Sequence, residues 1–273
     1  MELMANGVRY HIEVTGDEAR PVLVLLHGFT GSTATWHPVF EYWQDFRVVA
    51  IDLIGHGKTD SPKDAERYAM ERQLKDLESI FRELKLSQFS LLGYSMGGRT
   101  ALAYACEYPD RVGRLLLESA SPGLELEADR KQRQEADARL AQDLLRDGLE
   151  AFVAKWENIS LFDSQKSLPQ SVREQVRQER LAQSALGLSN SLLGMGTGSQ
   201  RSYWDCLEDL KMPVLLLTGE LDPKFHAIAL RMQELLPNAE HRIISAGHAI
   251  HVEKPAEFAT MVMEQLIRIN EED

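Results

Sequence analysis

Phe89-Ser90-Leu91-Leu92-Gly93-Tyr94-Ser95-Met96-Gly97-Gly98 reads as a buried strand ending in a serine turn. The stretch that follows, Arg99-Thr100-Ala101-Leu102-Ala103-Tyr104-Ala105, has the composition of a helix. A serine held between strand and helix adopts a strained backbone conformation, and glycine two positions to either side lets neighbouring backbones come close. The strain lifts the Ser95 hydroxyl clear of the sheet. The G-x-S-x-G pattern alone also occurs in ordinary tight turns; its setting between a strand and a helix is what marks it as a nucleophile elbow.

Outward from this turn the chain alternates strands and helices. Residues 8–14, 22–26, 48–51, 115–117, 213–218 and 241–244 read as strands, several of them continuously apolar, which implies burial on both faces. Residues 68–84 carry apolar positions at helical spacing, and an amphipathic helix over 255–269 closes the chain. Such alternation predicts a parallel sheet flanked by helices. The rhythm breaks after residue 120, where 129–146, 149–156, 169–182 and 188–193 look helical with no apolar strand between them. The expected organisation is therefore a core made of residues 1–120 and 206–273, with a helical cap, 121–205, inserted in it.

A serine hydroxyl becomes reactive near neutral pH when an imidazole takes its proton and a carboxylate orients that imidazole. Asp222 follows the buried strand Pro213-Val214-Leu215-Leu216-Leu217-Thr218, and His248 follows the last strand in Ala246-Gly247-His248. Open α/β sheets place functional residues at such carboxyl ends. Each position has a competitor. Asp222 could serve as a helix cap before Pro223, with Glu118 supplying the acid instead, and His251 lies near enough to rival His248. For an oxyanion, the amide of Met96 at the start of its helix is one donor, and that of Phe29 in the turn His27-Gly28-Phe29 is the second. His27 and His56 read as loop-bracing side chains, and His11, His37, His226 and His241 as surface groups.

The 273 residues carry 30 basic and 42 acidic side chains, a net charge of -12, which argues against a nucleic-acid partner. With 44% hydrophobic and 26% charged residues the composition is that of an ordinary globular protein. The first residues carry charges where a signal peptide needs an apolar run, and no segment approaches membrane-spanning length, so a cytoplasmic protein without membrane insertion is expected. Cys106 and Cys206 lack metal-ligand or redox spacing and are expected as free buried thiols. No metal or cofactor is implied.

Arg99 lies four residues past Ser95, on the same helical face, where the helix dipole disfavours a cation. An anionic group that compensates it, from a substrate or from a carboxylate such as Glu118, is expected.

Val22-Leu23-Val24-Leu25-Leu26-His27-Gly28-Phe29, Asp52-Leu53-Ile54-Gly55-His56-Gly57, Gly93-Tyr94-Ser95-Met96-Gly97-Gly98, the late aspartate and the late Gly-His together resemble the α/β-hydrolase superfamily over nearly the whole chain. The order Ser95, Asp222, His248 is the order of that superfamily. Ser95-Met96-Gly97-Gly98-Arg99, the stretch from Glu118 to Leu124, the cap pattern from Phe152 to Trp156 with Leu161-Phe162, Gly194-Met195-Gly196-Thr197-Gly198 with Trp204, and the residues around Asp222 are similar to the 2-succinyl-6-hydroxy-2,4-cyclohexadiene-1-carboxylate synthase family. That resemblance implies a lyase of menaquinone biosynthesis that eliminates pyruvate from a small substrate bearing several carboxylates; a serine hydrolase acting on an ester or carbon–carbon bond is the alternative, and a monomer or weak oligomer is expected. The resemblance further implies substrate contacts from Arg99, from the cap arginines Arg133 and Arg180, from Trp156 as an apolar wall, and from Tyr94. Some members have tyrosine after this tryptophan; here Glu157 stands in its place.

Overall fold

The computed structural model describes residues 1–267. Eight strands form one sheet in the order β1-β2-β4-β3-β5-β6-β7-β8. They are β1 (Glu2–Ala5), β2 (Val8–Thr15), β3 (Val22–Leu26), β4 (Arg47–Ile51), β5 (Phe89–Tyr94), β6 (Val112–Glu118), β7 (Val214–Gly219) and β8 (Ala239–Ile244). From β4 onward every neighbour runs parallel, while β1 with β2 and β2 with β4 run antiparallel. The β1–β2 hairpin, which the sequence reading missed, turns on Asn6 and Gly7, both at positive φ (47° and 84°). Asn-Gly suits that turn because the two residues tolerate the left-handed region best.

The parallel strands dictate the layering. β5 and β7 are buried at every position, so each sheet face must be covered. On one face pack α1 (Met70–Glu83), α2 (Met96–Glu107) and, through Ala229 and Met232, the helix that follows β7. On the other, Trp36, Trp43 and Phe258 fill the space between the sheet, a short-helical segment over Thr33–Trp43 and the closing helix. Between β6 and β7 lie α3 (Glu127–Asp147), α4 (Leu149–Trp156), α5 (Gln170–Leu181) and α6 (Ala185–Met195), with no strand among them. Their own small core joins Leu144, Phe152, Val153 and Leu188. The chain ends with α7 (Pro223–Leu235), α8 (Ile250–Glu253) and α9 (Pro255–Ile267); the end of the helix expected at residue 269 lies outside the described residues.

Two expectations are corrected. Cys106 and Cys206 are joined as a disulfide, their Cα atoms 6.1 Å apart across a sequence separation of 100. The end of α2 packs beside the turn Trp204–Asp209, a neighbourhood that linear spacing hides. His11, His226 and His241 are half-buried, not surface groups: His11 bonds through Nδ1 to Asp52 (2.9 Å), and the ring of His241 meets the Thr218 hydroxyl (2.7 Å). No described helix is long and apolar enough to cross a membrane.

Candidate active site

The carboxyl ends of β3, β5, β6, β7 and β8 meet at one edge of the sheet. At the end of β5 the backbone of Ser95 has φ 52° and ψ −106°, a conformation rare for a residue with a side chain. It persists because its surroundings over-determine it. The Ser95 N–H donates to the Glu118 carbonyl (2.8 Å), the Arg99 N–H donates to the Ser95 carbonyl (2.9 Å), and Gly97 presses on the carbonyls of Leu26 and His27 where a Cβ would overlap them.

The hydroxyl raised in this way lies 3.0 Å from Nε2 of His248, and Nδ1 of the same ring lies 2.7 Å from Oδ2 of Asp222. Asp222 also caps α7, its Oδ1 accepting from the Phe225 N–H (3.3 Å), so the two competing roles coexist in one carboxylate. Phe225 and Tyr94 flank the imidazole, with ring centroids at 4.6 and 5.4 Å. Above the hydroxyl opens a cavity of about 410 Å³ whose walls include Phe29, Tyr94, Met96, Arg99, Arg133 and Trp156. Of the side chains expected to contact substrate, Arg180 alone does not reach this cavity; it stands behind Phe162, its guanidinium 4.7 Å from that ring.

A profile of the alpha/beta hydrolase fold matches residues 21–255. The chain belongs to the alpha/beta hydrolase fold family. Within that family it is 48% identical over 267 residues to a Bacillus subtilis (strain 168) protein provisionally named 2-succinyl-6-hydroxy-2,4-cyclohexadiene-1-carboxylate synthase, covering 97% of each chain. A Pectobacterium atrosepticum synthase of the same name is 33% identical over 244 residues, 89% of this chain and 92% of the relative. The solved structure of MenH from S. aureus superposes with a TM-score of 0.89 at 40% identity, covering 94% of this chain and 97% of the other.

In this alpha/beta hydrolase the cations of the cavity differ in how they are held. Arg99 donates from Nη1 to the Met195 carbonyl (2.9 Å) and to the Gln200 side chain, and no carboxylate among the described residues pairs with it. Burial and the nearby Arg133 push its pKa down to about 10, which leaves it charged at neutral pH. Arg133 is bound to Asp137 (2.8 Å), four residues on along α3. Sequence reasoning overlooked Lys224 and Arg231, which α7 brings to the same cavity. Their signal was available: both sit on the helix opened by Asp222 and Pro223.

Glu118, the rival acid, is fully buried and engaged elsewhere. Its carboxylate accepts from the His251 N–H (3.1 Å) and faces Nδ1 of that ring at 2.8 Å. Because its backbone carbonyl also holds the Ser95 N–H, Glu118 ties the serine turn to the loop that carries His248. The three-residue spacing of His248 and His251 was the clue to this second pair.

His27 accepts from the Leu53 N–H at Nε2 (3.0 Å) and so carries its proton on Nδ1, which donates to the Gly28 carbonyl (2.8 Å). Burial lowers its pKa to about 4, and burial together with His27 lowers that of His56 to about 3. In the unfolded chain both take up a proton near pH 6.5. Below that pH the unfolded state binds more protons than the folded one, so stability is lost as pH falls and the loss levels off at the folded-state values. His27 alone is expected to contribute about 2 kcal/mol of this loss between pH 6.5 and 5. Urea unfolding of the wild type and of His27→Gln at both pH values measures it: the variant declines less steeply, and equal declines would disprove the contribution.

Proposed function

We propose that this enzyme is a carbon–oxygen lyase that expels pyruvate from 2-succinyl-5-enolpyruvyl-6-hydroxy-3-cyclohexene-1-carboxylate, giving the 2,4-cyclohexadiene product after which its relatives are named. The observation that carries the reading is the continuous chain Asp222–His248–Ser95 (2.7 and 3.0 Å) opening on a cavity whose arginine, Arg99, has no internal carboxylate partner among the described residues. A serine hydrolase needs the same three groups, whereas a half-buried guanidinium with no direct carboxylate ion pair among the described residues suits an anionic substrate.

The chemistry is a proton transfer followed by an elimination. Ser95 gives its proton to Nε2 of His248 and takes the proton from the ring carbon next to the succinyl carbonyl. The electron pair left on that carbon forms the 2,3 double bond, the 3,4 double bond moves to 4,5, and the bond from carbon 5 to the enolpyruvyl oxygen breaks. The departing enolate receives a proton from the His248 imidazolium and becomes pyruvate, so no water is consumed. Asp222 holds Nδ1–H toward itself and stabilises the imidazolium while it exists. The amides of Phe29 and Met96 receive the charge that spreads onto the succinyl carbonyl oxygen. Arg99 and Arg133 bind carboxylates, Trp156 and Tyr94 enclose the ring, and residues 121–205 act as a cap over a core in a cytoplasmic protein.

Incubating the enzyme with this substrate and, separately, with simple aryl esters tests the reading. Pyruvate and the conjugated diene should appear in equal amounts, with ester hydrolysis slower by orders of magnitude. Efficient ester cleavage with no pyruvate released would establish a hydrolase in its place.

A further inference from the structure

Beyond the catalytic cavity, on the far side of Phe162, lies a second cavity of about 300 Å³. The Phe162 ring walls both, standing 6.2 Å from the His248 ring and 4.7 Å from the Arg180 guanidinium. A narrow slot of about 40 Å³, lined by Phe29, Tyr94, Phe162, Gln165 and Arg180 among others, lies between them. It touches the catalytic cavity through the first three of these residues and the second cavity through the last three.

The second cavity is built for an anion. Arg180 is only 6% exposed, and among the described residues no carboxylate forms an ion pair with it, although Glu157 and Glu179 lie near enough to act on it electrostatically. The acids that could do so are engaged: Glu157 with Arg177, and Glu179 with the hydroxyls of Ser32 and Thr35 (2.7 Å each). Arg173, on the same α5 face, likewise has no carboxylate partner among the described residues and lines this cavity without lining the catalytic one. Two guanidinium groups without an ion-pair partner among the described residues, the buried Arg180 with only the fields of Glu157 and Glu179 nearby and the exposed Arg173, line this cavity in a protein whose net charge is -12. Buried cations are ordinarily paired.

We infer that this compartment receives the small 2-oxo carboxylate expelled in the reaction, which leaves past Phe162 before the larger ring product departs from the main cavity. The inference rests on the lyase reading. A slot of about 40 Å³ does not hold a substituted six-membered ring, so it suits the smaller of the two anions that elimination generates. The large product keeps the carboxylates that Arg99 and Arg133 hold; the small one meets Arg180 and Arg173, which offer planar, bidentate donors to a carboxylate.

Steady-state inhibition by each product tests the order. With pyruvate leaving first, pyruvate inhibits noncompetitively and the ring product competitively against substrate. Arg173→Ala should weaken inhibition by pyruvate about tenfold, the equivalent of one charge-assisted hydrogen bond, while kcat/KM in the absence of pyruvate stays within about twofold. Arg173→Lys should fall between. Competitive inhibition by pyruvate, absence of inhibition, or an inhibition constant unchanged in Arg173→Ala would overturn the exit compartment while leaving the lyase reading intact. Failure of the wild type to release pyruvate at all would instead refute the lyase reading, and the exit compartment with it.

Discussion

Replacing Ser95 with alanine is expected to lower turnover about 10⁴-fold or more, the scale on which removing one member of a serine, histidine and carboxylate unit acts. Substrate affinity should change little, because on the proposed reading the hydroxyl moves a proton while arginines elsewhere in the cavity hold the carboxylates. Equilibrium binding and single-turnover rates measured on the same variant separate the two effects. The fold should survive the change: alanine retains the Cβ, and the strained turn is held by backbone bonds to Glu118 and Arg99 that do not involve the hydroxyl. A variant that kept near-normal turnover would remove Ser95 from the chemistry altogether.

Arg99→Ala should lower kcat/KM about 100-fold, a loss of about 3 kcal/mol, which is the range for removing a charge-assisted hydrogen bond from a partly buried site. The effect should lie mainly in KM, since the proposed contact of this guanidinium is to a part of the substrate that carries the same charge before and after proton transfer. Arg99→Lys separates charge from geometry: it keeps the cation but not the planar fork that also grips the Met195 carbonyl and the Gln200 amide, so it should recover only part of the activity. Unchanged kinetics in Arg99→Ala would show that the anion is bound elsewhere, with Lys224 and Arg231 the next cations in the cavity.

The parallel sheet was legible because short continuous apolar runs such as 22–26 and 213–218, rich in β-branched and leucine residues and alternating with helical segments, fit strands buried on both faces. The serine turn was legible because its glycines are demanded by close approaches that the fold makes unavoidable, as Gly97 against the carbonyls of Leu26 and His27 illustrates. Local patterns of this kind report on local geometry. What escaped notice was long-range. The disulfide between Cys106 and Cys206 and the pairing of Glu118 with His251, 133 residues apart, depend on which ends the topology brings together. Arg180 shows the limit from the other side: its placement on a cap helix was evident, yet which wall of Phe162 it would occupy depends on how α5 packs. The half-burial of His11 follows the same rule, since its partner Asp52 lies 41 residues away across a strand pair.

The most direct measurement is a single-turnover comparison of ordinary substrate with substrate carrying deuterium on the ring carbon beside the succinyl carbonyl. If Ser95, through His248, removes that proton in the step that governs formation of the diene, the labelled substrate reacts severalfold more slowly. Identical rates, accompanied by a covalent acyl adduct on Ser95 in the quenched protein, would contradict a serine that acts as a base and would restore it to the role of a nucleophile.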